Sequence, residues 1–122
     1  MSIPVSDVPV DQATQDALLS LAIGDTDVLG EAAGMRAELQ ASSGLDPKTF
    51  SLVKIGALVA LDAAPASYLW QVKGALDAGA TPQEILGVLT AVAPQTGMPR
   101  VVAAAPEIMV ALGLELPADL DE

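Results

Sequence analysis

The stretch ALDAGATPQEIL, residues 75–86, contains the end of one helix and the start of the next. Gly79 is a typical helix stop, because glycine adopts the left-handed backbone conformation without a steric penalty. Thr81 can accept a hydrogen bond from the Glu84 amide, and the Glu84 side chain can accept one from the Thr81 amide, which is the capping-box pattern. Pro82 suits the first helical position. The stretch therefore predicts two helices joined by a short turn.

Other caps and breaks divide the rest of the chain in the same way. The Asp46-Pro47 pair combines a good N-cap with a residue suited to the first helical turn. Pro94 and the Gly97-Met98-Pro99 turn predict the end or a kink of the fifth helix, and Pro106 predicts a kink or restart in the sixth. These signals predict an all-α fold, a bundle of about six helices. The predicted helices cover residues 11–22, 25 or 26 to 41, 47–62, 65–78, 82–94 and 99–112.

Apolar residues at helical spacing predict which face of each helix is buried. In the third helix the predicted buried stripe is Phe50, Val53, Ala57 and Leu61. The other predicted sets are Ala17, Leu18 and Leu21 in the first helix; Val28, Leu29, Ala32, Met35 and Leu39 in the second; and Ile85, Leu86, Val88, Leu89 and Val92 in the fifth.

The length of 122 residues fits one domain, which we assign to residues 1–122. Residues 1–10 contain Pro4 and Pro9 and are expected to form an extended arm. The acidic residues 117–122 are expected to form a frayed tail. The chain has no strand-like alternation of apolar and polar residues and no internal repeat.

The composition predicts self-association. Hydrophobic residues make up 52% of the chain, aromatics only 2%, and the mean hydropathy is +0.49. The apolar excess comes from Ala, Leu and Val, whose small or compact side chains let helices pack closely. A small domain with this much apolar surface is expected to bury part of it against other subunits, as a homo-oligomer.

The charge balance argues against two classes of partner. Five basic and sixteen acidic residues give a net charge of −11. Nucleic acids and anionic membrane surfaces both require a basic footprint, so we expect neither as a partner.

The longest uncharged stretch, residues 85–99, is too short and too interrupted to span a bilayer. The first residues lack the basic and apolar segments of a signal peptide, and the absence of disulfides is compatible with a cytoplasmic location.

The chain contains no cysteine and no histidine. Thiol catalysis, disulfides and thiolate metal sites are therefore excluded within these residues. The sequence also has no metal-ligand cluster and no phosphate-binding glycine loop, so we expect neither a metal nor a cofactor.

Glu84 and Glu107 each lie near a predicted helix start, where an acid interacts favourably with the helix dipole, and we interpret both as structural.

From Leu45 to Leu112 the chain resembles the carboxymuconolactone decarboxylase-like family of the alkylhydroperoxidase-D-like superfamily. The resemblance depends on the order and spacing of several segments. These are Leu45-Asp46-Pro47-Lys48-Thr49, the helix 52–61, the turn Ala75-Leu76-Asp77-Ala78-Gly79-Ala80-Thr81, Glu84-Ile85 and Gln95-x-Gly97-x-Pro99. The resemblance implies an all-helical bundle that assembles as trimers, hexamers or similar rings.

The resemblance also implies where chemistry would be located. In the thiol-active branch, a Cys-x-x-Cys pair precedes a His on the same helix, and a Glu on the preceding helix completes a proton relay. That His lies eight residues before the glycine of the turn, which corresponds to Gln71 here. The two cysteine positions correspond to Ala64 and Ser67, and the relay Glu to Ser51 or Leu52, depending on register. Lactone decarboxylases lack the cysteine pair but keep a His at or near this position, so Gln71 departs from both patterns.

Five residues are candidates for a cleft at this place: Lys54, Ala64, Ser67, Tyr68 and Gln71. Helical spacing puts Ala64, Ser67 and Gln71 on one face, where they either line a cleft or satisfy backbone and subunit contacts. Lys54 either holds an anionic ligand or extends its ammonium to the surface, where Asp62 could pair with it. Tyr68 and Trp70 point to different faces of one helix, so one could face the cleft while the other packs.

Three functions fit these residues. The first is a carboxymuconolactone decarboxylase-like protein without a thiol relay, which binds a small organic acid or lactone in the remaining cleft. The second is a cofactor-independent lyase or isomerase that acts on a lactone or organic acid, although no general base is evident nearby. The third is a non-catalytic oligomeric module in which the apolar excess serves assembly.

Overall fold

The computed structural model describes residues 8–23, 25 and 30–118, with the backbone alone for 30–34. These residues form six helices and no strand, which confirms the predicted all-α class. The helices are α1 (Gln12–Ala22), α2 (Gly30–Ser43), α3 (Pro47–Leu61), α4 (Pro65–Asp77), α5 (Pro82–Thr96) and α6 (Met98–Ala111).

The predicted caps set most of the helix boundaries. The Thr49 amide donates to the Asp46 carboxylate at 2.7 Å, so α3 starts at Pro47. At the start of α5, the Glu84 amide donates to Thr81 Oγ1 at 3.1 Å and the Thr81 amide donates to Glu84 Oε1 at 2.9 Å. Both halves of the predicted capping box are therefore present. Gly79 takes the positive φ of 96° that lets the chain turn between α4 and α5.

The N-terminal predictions are partly outside the described residues. Asp11 caps α1 through the Thr14 amide at 2.9 Å, which agrees with the predicted start. Residues 1–7 of the predicted arm and residues 119–122 of the predicted tail lie outside the described part, and so does Gly24, whose glycine the sequence offers as the stop of the first helix. The second helix ends at Ser43, two residues beyond the prediction, and Asp25 is not helical.

The two internal prolines do not divide their helices. Helix α5 continues through Pro94 to Thr96, and α6 continues through Pro106 to Ala111. A proline removes one backbone hydrogen bond, and the remaining bonds of these helices keep the segments helical. The prediction of a restart at Pro106 is therefore wrong, and Glu107 lies inside α6 rather than at a helix start.

The core is built by α3, α4, α5 and α6. Helix α3 packs against each of the other three, and α4 and α5 also pack against α6. Gly56 brings α3 close to α5, because a Cβ atom at this position would lie 3.2 Å from Val92 Cγ1. The buried core residues are Ile55, Val59, Tyr68, Val72, Ala75, Ala80, Ile85, Leu89, Ala104 and Ile108.

The predicted buried face of α3 is wrong. Val53 is 58% exposed and Leu61 is 74% exposed, whereas Ile55 and Val59 are fully buried. Apolar residues surround this helix on nearly every side, so their spacing does not single out one face. Other residues predicted to be buried are also exposed in the single chain, namely Leu86 of α5, Leu18 and Leu21 of α1, and Met35 and Leu39 of α2.

In the described ranges, no helix combines the length and the apolar character that crossing a lipid bilayer requires.

The orientation of α3 can be tested with one substitution made at two positions. Val59→Ala removes buried methyl groups and leaves a cavity, so we expect it to lower the free energy of unfolding by about 2 kcal/mol. Val53→Ala makes the same chemical change on the exposed side of α3, and we expect a change within about 0.5 kcal/mol. Urea denaturation of both variants gives the comparison, and equal losses would contradict this orientation.

Candidate functional site

A pocket of about 360 Å³ lies between α2, α3 and α4. Helix α3 contributes Pro47, Phe50, Ser51 and Lys54, whose i, i+3, i+4 and i+7 spacing puts them along one side of the helix. This side is distinct from the Ile55–Val59 side that enters the core. The other lining residues are Arg36 and Gln40 of α2, Trp70, Gln71, Gly74 and Asp77 of the middle and end of α4, and Ala78, which follows α4 directly.

The pocket brings together two of the five candidate residues. Lys54 and Gln71 both line it. Ser51 lines it as well, whereas Leu52 does not, so of the two positions that could correspond to the relay Glu, only Ser51 faces this space.

The other three candidates do not line the pocket. Ala64 is the exposed N-cap of α4, and Ser67 is half-buried in the first turn of that helix. Ala64 lies about 10 Å along the helix axis from Gln71, because each residue rises about 1.5 Å. The side of α4 that carries Ala64, Ser67 and Gln71 therefore extends from the start of the helix toward the pocket. Of these three residues, only Gln71 lines the pocket.

Tyr68 belongs to the core rather than to the cleft. It is 2% exposed and packs with the buried residues of the bundle. Burial raises the pKa of its phenol, and the negative charges of Asp62 and Glu107 add to that effect. Trp70, two residues along, lines the pocket, so of the two aromatic residues on α4 it is Trp70 that faces the site.

Helix α2 supplies two site residues that sequence reasoning missed. Arg36 and Gln40 are four residues apart and so lie on the same side of α2. The guanidinium Cζ of Arg36 lies 3.8 Å from the centre of the Trp70 ring, a close cation–π contact between α2 and α4. The four-residue spacing of Arg36 and Gln40 indicates from the sequence that they share one side of α2. It does not indicate which helix that side faces.

Lys54 lies in a partly desolvated position next to another cation. Its ammonium is 5.2 Å from the centre of the Phe50 ring. Burial lowers the pKa of Lys54, and the nearby charge of Arg36 lowers it further. The pairing with Asp62 that the sequence allowed does not form, since the ion pairs found in the described residues are Lys48 with Glu84 and Lys73 with Asp77.

Glu84 is structural, as predicted. Its pKa is lowered mainly by the hydrogen bond from the Thr81 amide and then by the Lys48 side chain, whose ammonium lies 3.0 Å from the carboxylate. It therefore stabilises the start of α5 and does not line the pocket.

The pocket is suited to recognition more than to proton transfer. Arg36 and Lys54 supply positive charge, Gln40, Ser51 and Gln71 can form hydrogen bonds, and Phe50 and Trp70 provide aromatic surfaces. Asp77 is the carboxylate in the lining, and it accepts a hydrogen bond from Lys73 at 2.9 Å. No group of three or more acidic side chains suited to holding a metal ion occurs among the residues with described positions.

The chain matches the sequence model of the Carboxymuconolactone decarboxylase family over residues 28–108. This match covers well over half of the chain, and the chain belongs to that family. The matched span begins before Leu45 and therefore includes Arg36 and Gln40 of α2. Comparisons with curated proteins and with solved structures gave no significant match.

The burial of Tyr68 predicts a shifted titration. It is the single tyrosine of the chain, so its phenolate absorbance can be followed without interference from another tyrosine. The folded protein should ionise at higher pH than the urea-unfolded chain, whose tyrosine has a pKa of about 10. Because the folded pKa is raised, the stabilisation from neutral Tyr68 is complete below the unfolded pKa and is lost as pH rises through the folded pKa. A folded midpoint at or below the unfolded one would contradict the buried placement.

Proposed function

We propose that this member of the carboxymuconolactone decarboxylase family works without a thiol relay and binds a small organic acid or lactone in the pocket between α2, α3 and α4. The observation that carries the proposal is the convergence of Lys54, Gln71 and Ser51 in one pocket with aromatic walls. Ligand pockets typically combine such apolar surfaces with a few converging polar groups.

The residues at the family's reactive positions support binding over thiol chemistry. Ala64 carries no nucleophile, and the chain has no histidine that could activate the Ser67 hydroxyl. Gln71 can donate and accept hydrogen bonds but cannot take up a proton at neutral pH. The polar side chains in the pocket can therefore orient a ligand through hydrogen bonds and charge.

Ligand binding can be tested with a thermal-shift screen of small organic acids and lactones. We expect at least one class to raise the melting temperature, because a ligand that binds only the folded state stabilises it. Lys54→Met and Gln71→Ala should each weaken the affinity for that ligand by about tenfold, the usual range for losing one hydrogen bond to a ligand.

Ser67→Ala is the matched control, because Ser67 lies on α4 one turn before Gln71 but does not line the pocket. It should leave the affinity unchanged. The absence of any stabilising ligand, or equal losses in Ser67→Ala and Gln71→Ala, would count against the proposal.

A second candidate is a cofactor-independent lyase or isomerase that acts on a lactone or organic acid. The lowered pKa of Lys54 favours it, because a lysine that releases its proton more readily can serve as an acid or base. In this case Lys54→Met would abolish turnover of a bound lactone while Ser67→Ala would not. Unchanged turnover in Lys54→Met would remove this lysine from the mechanism.

We further propose that the chain assembles as a homo-oligomer, a trimer or hexamer. An apolar groove of about 390 Å³ lies between α3 and α5 and is lined by Thr49, Leu52, Val53, Gly56, Ala57, Val88, Ala91 and Val92. Large apolar side chains are also exposed on α1 and α6, including Leu19 and Val102. Apolar surfaces of this kind commonly lie at subunit interfaces.

Light scattering should therefore show a mass of several chains. Ala91→Glu places a charge in the groove and should shift the protein to smaller species, because an unpaired charge at an apolar interface is unfavourable. Thr90→Glu adds the same charge at the neighbouring exposed position outside the groove and should preserve the assembly. A monomeric wild type would refute this part of the proposal.

A further inference from the structure

We propose that Arg36 of α2 and Lys54 of α3 act together as a cation pair that selects a carboxylate ligand over a neutral one. This inference rests on the proposed ligand-binding function and specifies the charge of the ligand. It also assigns a specificity-determining role to Arg36, which lies outside the two helices that carry the other candidate residues.

The distribution of basic side chains is the first argument. The chain has only five basic residues against sixteen acidic ones, yet two of the five line this one pocket. Lys48 and Lys73 are paired with carboxylates, but no ion pair in the described part of the chain involves Arg36 or Lys54. Asp77, which also lines the pocket, already binds Lys73. Within the described residues, two cations therefore lie together without a carboxylate bound to either.

The interaction between the two cations is the second argument. Arg36 lies close enough to Lys54 to disfavour its charged form, and both side chains are only partly exposed. Two like charges in a partly desolvated pocket repel each other, and an anion placed between them adds an attraction to each cation that offsets this repulsion. The free site is therefore electrostatically arranged for a negatively charged ligand.

The geometry of the pocket favours a flat anion. The Trp70 ring lies under the Arg36 guanidinium at 3.8 Å, which orients the planar group while leaving its N–H donors available. A guanidinium can bind a carboxylate through two parallel hydrogen bonds. Gln40, Ser51 and Gln71 can bond further oxygen atoms, and Phe50 offers an aromatic surface to the rest of the ligand.

The test uses two probes of nearly the same shape that differ in charge, benzoate and benzamide. Trp70 is the single tryptophan of the chain and lies against Arg36, so its fluorescence can report occupancy directly. We expect benzoate to bind about tenfold to a hundredfold more tightly than benzamide, the range for a charge-assisted hydrogen-bond pair. Arg36→Gln should remove most of this preference while circular dichroism shows an unchanged helix content.

Arg100→Gln is the matched control, because it removes the same charge from an exposed arginine that does not line the pocket. It should keep the preference for benzoate. Equal affinities for benzoate and benzamide, or equal losses in Arg36→Gln and Arg100→Gln, would overturn the proposal. Inorganic phosphate is the third probe, and binding tighter than that of benzoate would also overturn the assignment to a carboxylate.

The outcomes separate this inference from the function on which it rests. If benzamide or a lactone binds and benzoate does not, the pocket binds ligands but the charge selection is wrong. If none of the acids, amides or lactones binds, the ligand-binding function itself fails and the inference fails with it.

Discussion

The orientation of α3 determines both the core and the site. Ile55 and Val59 enter the interface with α4, α5 and α6, and Gly56 allows α5 to approach closely. Once this side is buried, the geometry of a helix leaves Ser51 and Lys54 on the side that faces α2 and the end of α4. A rotation of α3 that buried the Val53 side instead would remove these polar residues from the pocket. The packing of one apolar helix therefore positions the residues on which the proposed function depends.

Local signals predicted the helices well because their causes are local. The Thr81–Glu84 capping box, the Asp46 cap and the positive φ at Gly79 each depend on a few neighbouring residues, and all three are present. The prolines inside α5 and α6 show the limit of such reasoning. A proline removes one backbone hydrogen bond, but packing of the whole helix decides whether the helix continues.

The site was only partly predictable because it depends on tertiary packing. The resemblance pointed to Gln71 and the helical stripe of α3 pointed to Lys54, and both residues line the pocket. The spacing of Tyr68 and Trp70 left open which of them faces the cleft, and Tyr68 packs in the core. Sequence reasoning missed Arg36 and Gln40. The side of α3 that is buried and the helix that α2 faces are set by contacts between distant parts of the chain. In an apolar, alanine-rich sequence, the spacing of residues gives little information about these contacts.

Helix α2 has a role that combines structure with recognition. Its packing against the bundle is mainly with α3, and the Arg36–Trp70 contact adds a link to α4. A cation–π contact of this kind contributes about 0.5–2 kcal/mol, which is comparable to the effect of one charged hydrogen bond. The repulsion between Arg36 and Lys54 opposes this docking, and an anion in the pocket would relieve it. Because a ligand stabilises whichever arrangement binds it more tightly, occupancy of the pocket and docking of α2 are thermodynamically linked.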